Sequence, residues 1–423
     1  RVLLLSVASL IVLPACNPRS TGLVIANGDD VGILHPQFAT TSAEGRVMVA
    51  LHAGLTRLNP KTLAPEPSLA SEFHQLQGGK VWEFVIRENL HWSDGHSLQP
   101  DDFVRSWRQL TDPNFGAPYA EWLRGAVFHL RESNILHIEF QHPLPQFGEM
   151  CSYQALAPVP QHASPQKVGS GPFRLVSRKI RDRIRVEKNP WFWNAADVDI
   201  PQIDFLTVES QFTALNLFLT EDIDYCPAVP TLAIPQLLEK FPDEFQPNPQ
   251  FATYFLRFNT KNAPFDQIEN RRAFASALDS AAISQSVGGG RQPAVGFVPP
   301  GVPGWKYATA PDWMKQRRGS KSTGTGEQYR TESEIAPTYG VVEYLYNSSE
   351  LNRDVAEVLQ QQWDRHLHAE VRIANQEWKT FLANQKALEY QISRSSWVGD
   401  YFDPMTFLEI FHSESGNNRT GWK

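Results

Sequence analysis

The chain has 423 residues, more than one compact core usually supports, so two or three lobes are expected. Net charge is −7 and the 39 Lys and Arg are scattered, which excludes the basic field that holds a nucleic acid. The 12 Trp, 11 Tyr and 25 Phe suffice to line a large apolar or mixed groove.

Arg1 precedes the apolar run Val2 to Leu13, and Pro14-Ala15-Cys16 follows. A basic start, a short apolar core and a small residue before a cleavage point predict a secretory signal peptide over residues 1–16. The run is too short for a permanent membrane span. With cysteine directly after Leu13-Pro14-Ala15, the segment resembles a bacterial lipobox, which marks Cys16 for lipidation. Asn17 to Thr21 then reads as a polar tether.

Leu23 to Ala26 reads as a buried strand, closed by the turn signal Asn27-Gly28-Asp29-Asp30. Within residues 80–92, Trp82, Phe84 and Ile86 alternate with Val81, Glu83, Val85 and Arg87, a two-faced strand pattern. Asp94-Gly95 turns the chain, and Asp101-Asp102 caps an amphipathic helix carrying Phe103, Val104, Trp107 and Leu110. Further strands are expected at 135–140, 173–176, 184–187 and 205–209, and the basic cluster Arg178 to Arg185 also suggests a strand. Pro and Gly break the chain at 142–172 and at 297–304. Arg271 to Val287 reads as a helix with Phe274, Leu278 and Ile283 on one side. Residues 317–338 have almost no apolar anchors and read as a flexible surface loop. A strand from Val341 to Tyr346, a helix from Asn352 to His366 with Val355, Val358, Leu359 and Trp363 on one stripe, and a strand from Val371 to Ile373 complete the series. Strands alternating with helices make the class α/β.

Enzyme signatures are missing from the sequence: there is no His-Glu-x-x-His, no Gly-x-Ser-x-Gly and no phosphate loop. A hydrolase is therefore the remotest reading, and no cofactor is expected. Gly288-Gly289-Gly290 reads as a turn at a helix end. His366-Leu367-His368 falls at a helix-to-strand junction without a third ligand, so no metal site is assigned. Cys151 and Cys226 sit in no metal or redox spacing and are expected as unpaired thiols.

Nine segments in order resemble the peptide/nickel family of extracellular solute-binding proteins, oligopeptide binders in particular. They begin with Leu55-Thr56-Arg57-Leu58 through Pro65-Ser68-Leu69-Ala70 and Trp82-Glu83-Phe84-Val85-Ile86-Arg87. Trp92-Ser93-Asp94-Gly95 with Asp101 to Trp107, Gly169-Ser170-Gly171-Pro172-Phe173 and Asn189-Pro190-Trp191-Phe192-Trp193 follow. Phe258-Asn259 leading to Arg271-Arg272-Ala273-Phe274, then Tyr346 to Leu351, Gln376 to Leu382 and Trp397 to Pro404 close the series. The resemblance implies a two-lobed clamshell with one lobe made of two subdomains. Residues 17–52 and 166–250 would form the core of lobe 1, 53–165 its extra subdomain, and 251–423 lobe 2. A peptide would lie extended between the lobes, paired like an added strand, and pass to the permease and ATPase of an importer. Relatives of this family also carry nickel complexes, sugars or cell-wall peptides, and a peptide-sensing lipoprotein is a further alternative. The family's chain runs on past Asn417-Asn418 to rejoin lobe 1, so the resemblance implies cleft wall beyond Lys423. Some members carry a disulfide at the positions of Ala252 and Val398, which here are both without cysteine.

The same resemblance assigns Asp400 to the ligand's free α-amino group, with Ser396 and Val398 contributing backbone pairing. Trp378 and Trp397 are expected as pocket walls, and Arg394 and Lys306 as cations for a ligand carboxylate. Asn347, Asn352 and Asn417 are polar pocket candidates. Tyr119 would edge the pocket from the opposing lobe, and Thr40, Thr41 and Ser42 would add backbone pairing. Asp403, before Pro404, is the better turn acid.

Overall fold

The computed structural model describes residues 22–248, 250–294, 296–302, 305–306, 311 and 339–423. The signal segment with Cys16 and the polar stretch 317–338 lie outside the described residues.

The first unit is split in sequence. Strand β1 (Leu23–Gly28) leads to helix α1 (Ser42–Leu51), whose start is set by a capping box between Thr41 and Glu44. The chain then leaves to build a second unit from β2 (Thr56–Leu58), β3 (Pro65–Pro67), β4 (Ala70–Leu76), β5 (Val81–Ile86), α2 (Pro100–Thr111), β6 (Val127–Arg131), β7 (Ile135–Glu139) and α3 (Phe147–Met150). It returns with β8 (Phe173–Lys179), β9 (Arg183–Lys188), β10 (Gln202–Thr207), α4 (Gln211–Leu219) and α5 (Ile234–Lys240). The third unit holds β11 (Ala252–Phe258), α6 (Ile268–Ser276), α7 (Ser280–Val287), β12 (Val342–Asn347), α8 (Glu350–Leu367), β13 (Val371–Gln376), α9 (Trp378–Ala387), β14 (Ile392–Val398) and α10 (Met405–Leu408).

Each unit has its own four-stranded sheet, ordered β1-β10-β9-β8, β4-β5-β7-β6 and β11-β14-β12-β13. In the first, β1 runs parallel to β10 while the rest is antiparallel, and α1 packs Val47 and Met48 against Val186 and Phe205. The middle sheet is antiparallel throughout. It carries Trp82, Phe84 and Ile86 inward beneath Phe103, Val104, Trp107 and Leu110 of α2. Each such side chain contributes roughly 1.5–3 kcal/mol on full burial. The Trp107 indole N–H, which would otherwise be stranded, donates to the Leu156 carbonyl at 2.9 Å. The third sheet buries one face against α6, α7 and α8 and the other against α9.

Two sequence expectations change. Residues 271–287 form two helices, because the Asp279 carboxylate caps the amides of Ala281 and Ala282 while its own N–H donates to Gln362 at 2.7 Å. The basic cluster 178–185 is a hairpin between β8 and β9, with Arg181 at φ 57° in its turn. Within it Arg185 forks onto Asp204 with two contacts of 2.7 Å. Other element ends move by one to three residues, the usual fraying of boundaries. Cys151 and Cys226 are both free, the first fully buried.

The motifs of the first two units meet at their junction. Ser93 N–H donates to the Gly169 carbonyl at 2.9 Å, and Gly169 N–H donates back to Ser93 Oγ at 3.1 Å. Asn189 Nδ2 holds the Gly171 carbonyl at 2.9 Å. Glycine is required here by close approach: a Cβ at Gly169 would lie 2.0 Å from the Leu51 carbonyl oxygen.

Candidate functional site

Strand β14 is paired along its whole length with β11, from Ile392 opposite Phe258 to Val398 opposite Ala252. On its other side β12 pairs only with Ile392 and Ser393. From Arg394 to Val398 that side has no strand partner among the described residues, and Ser396 and Val398 are exposed. The Arg394 carbonyl is taken by Gln385 Nε2 at 3.0 Å. A strand edge left open in this way is a template for an added extended chain.

Asp400 follows two residues after the open edge. Gly399 N–H donates to the Phe251 carbonyl at 2.8 Å and Asp400 N–H to Thr406 Oγ1 at 2.9 Å, which fixes the loop. Oδ2 of Asp400 is buried and has no hydrogen-bond partner. Burial pushes the carboxyl up to about 8, against the pull of the Tyr153 hydroxyl; Glu409 adds to the rise and the Tyr119 hydroxyl opposes it. Tyr119 and Tyr153 come from the middle unit and bond to each other through their hydroxyls at 2.9 Å. A carboxyl enclosed with one oxygen left without a donor gains from an arriving cation, since the low dielectric strengthens the pairing.

The segment that carries Asp400 is inserted into the middle unit. Tyr401 joins that unit's core and packs edge-on against Trp122 at 5.6 Å. Its hydroxyl donates to Glu409 at 2.9 Å, and Trp122 Nε1 donates to the same carboxylate at 2.8 Å. Ser415 Oγ donates to Glu121 at 3.0 Å, and Arg124 pairs with Glu414. Burial raises the Glu409 carboxyl to about 7. From the first unit, Asp30 meets Lys379 of α9 at 3.3 Å.

The other expected residues fall variously. Arg394 lies 5.2 Å over the Tyr254 ring, donates to Ser396 Oγ at 3.1 Å and keeps a buried Nε without a partner. Trp397 sits on the opposite sheet face beside Phe251, Phe297 and Phe407, its indole nitrogen unpartnered. Trp378 stacks on Phe381 at 5.8 Å in the packing of α9. Asn352 Nδ2 donates to Asn347 Oδ1 at 2.9 Å, so the two amides engage each other between β12 and α8. Asn417 is buried and its carbonyl accepts from Arg257 at 3.0 Å. Lys306 is exposed, and no contact among the described residues joins it to this group. Asp403 serves the turn, accepting from the Met405 amide at 2.8 Å.

Thr40, Thr41 and Ser42 require a correction. Ser42 opens α1, and the amides of Thr40 and Thr41 already donate to the Glu44 carboxylate at 3.0 and 3.2 Å. The helix cap consumes the donors that a ligand strand would need. Two groups escaped the sequence reading altogether. Arg257, buried, and Arg419, half-buried, are cations of the third unit, and neither carries a motif signal. Asp94, His96 and His162 place their ligating atoms within 4.8 Å of one another at an exposed position on the middle unit. There the Asp94 carboxylate is satisfied by His162 Nε2 at 2.8 Å and faces His96 Nδ1 at 3.1 Å. A hollow of about 540 Å³ lined by Arg87, Asn89 and Trp193 contains none of the expected binding residues.

Residues 64–419 match the family described as bacterial extracellular solute-binding proteins, family 5, middle. Among curated relatives, the periplasmic oligopeptide-binding protein OppA of Salmonella typhimurium is 29% identical over 95% of this chain and 79% of its own length. Among solved structures, Haemophilus influenzae OppA in complex with the peptide RPPGFSPFR superposes with a TM-score of 0.85 at 25% identity, covering 95% of this chain and 84% of that one. The murein tripeptide binding protein MppA of Escherichia coli also gives 0.85, at 26% identity over 95% and 84%. MppA in its unliganded open form gives 0.61, at 26% identity over 95% and 83%. The chain therefore superposes less closely on the open form than on the other MppA structure.

Proposed function

We propose that this chain, which belongs to the bacterial extracellular solute-binding proteins of family 5, captures short peptides outside the cytoplasm and passes them to an ABC importer. It is a binding protein and not an enzyme. The β1 and β5 units together act as one lobe and the β11 unit as the other, divided at 17–52 with 166–250, 53–165 and 251–423. The open edge of β14 pairs with the peptide backbone, which makes binding tolerant of side-chain sequence. Asp400 takes the α-ammonium group, with Tyr119 and Tyr153 closing over it from the opposite lobe. The permease and ATPase of an importer are the partners, and Cys16 carries the lipid anchor.

One observation supports this most: a buried carboxylate oxygen without a donor stands at the end of an unpaired strand edge. An amine fits that position better than a sugar or an anionic chelate, because the carboxylate form of the buried acid is stabilised by a cation. Names of relatives that carry oligopeptides and a murein tripeptide point the same way.

The test compares free-amine and N-acetylated tripeptides by calorimetry on the wild type and on Asp400→Asn. The variant is expected to lose at least tenfold affinity for free-amine peptides while N-acetylated peptides change little. Equal losses for both would remove Asp400 from the role.

A further inference from the structure

Arg257 and Arg419 belong to one hydrogen-bonded group of the β11 unit: Gln385, which accepts from Arg419, donates to Ser393 Oγ at 2.9 Å and to the Arg394 carbonyl at 3.0 Å, next to the Ser395 that holds Arg257. Arg257 is 4% exposed and is held by Ser395 Oγ at 3.0 Å and the Asn417 carbonyl at 3.0 Å. Arg419 donates to Gln385 Oε1 at 3.1 Å, and its Nε is buried with no partner. Neither makes an ion pair among the described residues. Burial, reinforced by the charge of Arg419, pushes Arg257 down to about 9, and burial lowers Arg419 as well. A buried and a half-buried guanidinium without a counter-ion among the described residues are costly, and a single anion shared by them lowers the cost.

The position says which anion. Arg257 bonds Ser395, which shares a face of β14 with Trp397, whereas Arg394 points to the opposite face over Tyr254. A strand added to the open edge of β14 runs in the plane of the sheet and turns alternate side chains onto each face. Side chains that such a strand turns onto the Ser395 face would project on the side of the sheet where Ser395 holds Arg257, while its main chain stayed at the edge. Arg419 is half-buried, and the Gln385 that accepts from it donates through Nε2 to the Arg394 carbonyl at 3.0 Å, on the strand whose edge lies open, so the pair borders that edge.

We propose that Arg257 and Arg419 form a subsite for a side-chain carboxylate of the bound ligand, favouring peptides with Glu or Asp on that face. The proposal rests on the peptide reading above and adds a substrate class to it. Charge-assisted bonds from two guanidiniums to one carboxylate provide the discrimination, since a Gln of the same shape cannot neutralise them.

Calorimetry on the full chain tests it with tri- and tetrapeptides of alanine carrying Glu or Gln at position 2 or 3, each as free acid and as C-terminal amide. At one position Glu is expected to bind about tenfold tighter than Gln, in both acid and amide series, and Arg419→Gln is expected to erase that ratio. Arg257→Lys, with the charge kept but the fork lost, should reduce it. Glu and Gln binding alike at every position in the wild type overturns the proposal while leaving peptide capture standing. A ratio that follows the C-terminal acid instead of the side chain also overturns it. If no peptide binds, peptide capture itself fails and this subsite falls with it.

Discussion

Trp122 and Glu409 stand 287 positions apart in the chain, and the indole N–H of one donates to the carboxylate of the other at 2.8 Å. The bond ties the middle unit to the segment that carries Asp400. Tyr401 binds the same carboxylate and inserts its ring beside Trp122, so one acid organises the closure.

Trp122→Phe removes the donor and leaves the buried Glu409 carboxylate with Tyr401 alone. The loss of one bond to a charged group costs about 1.5–3 kcal/mol of closed-state stability. Small-angle scattering is expected to show a larger radius of gyration for the ligand-free variant, and peptide affinity to fall about tenfold. An unchanged profile together with unchanged affinity would show that the Trp122–Glu409 bond does not hold the units together.

Binding should release a proton. In the ligand-free protein the Asp400 carboxyl lies near 8, so at pH 6.5 it is protonated, and an ammonium ligand must displace that proton. Affinity is expected to rise by up to about tenfold per pH unit from 6 towards 8, and then to stop as the peptide amine itself loses charge. Calorimetry at pH 6.5 in buffers of different ionisation enthalpy should count close to one proton released per peptide. No release in the wild type, or the same release in Asp400→Asn, would contradict the pairing.

The same carboxyls set the acid side of stability. Asp400 near 8 and Glu409 near 7 hold protons in the folded chain that the unfolded chain loses from about 4 upward. Stability of the ligand-free protein from these groups is therefore highest below pH 4 and falls as pH rises towards 8. Urea midpoints of Asp400→Asn should lose part of that slope; a slope as steep as that of the wild type would place its origin elsewhere.

Gly169→Ala is expected to destabilise the protein by several kcal/mol, since its Cβ would meet the Leu51 carbonyl oxygen at 2.0 Å and both partners are backbone. Thermal denaturation checks it: a melting temperature within a degree of the wild type would mean that the junction yields easily.

Ala252 and Val398 are cross-strand partners in the β11–β14 pair. Neighbouring antiparallel residues lie within the Cα range that a disulfide spans. Ala252→Cys combined with Val398→Cys should oxidise to a single intramolecular bond, visible by mass spectrometry with and without reductant. Persistent free thiols under oxidant would show that the register differs.

Much of the frame is legible before any coordinates. Trp82, Phe84 and Ile86 announce their strand by alternation, and the α2 stripe from Phe103 to Leu110 announces its helix, because local periodicity is written in side-chain type. Strands β2, β3, β4, β6, β11 and β14 are not predicted from the pattern of side chains. The most recognisable motifs, Trp92 to Gly95, Gly169 to Phe173 and Asn189 to Trp193, gather at the junction of the first two units, where close backbone approach dictates them. They hold the fold and lie apart from Asp400.

The alternating strand β5, the apolar stripe of α2 and the family resemblance belong to the amino-acid sequence alone, since each depends on near neighbours in the chain. The tertiary structure alone decided which polar groups are spoken for. It gave the Asp279 amide to Gln362, left Asp400 Oδ2 without a donor, and brought Arg257 to Ser395 and the Asn417 carbonyl. Desolvation and pairing are sums over atoms delivered by distant segments, and no local pattern contains them.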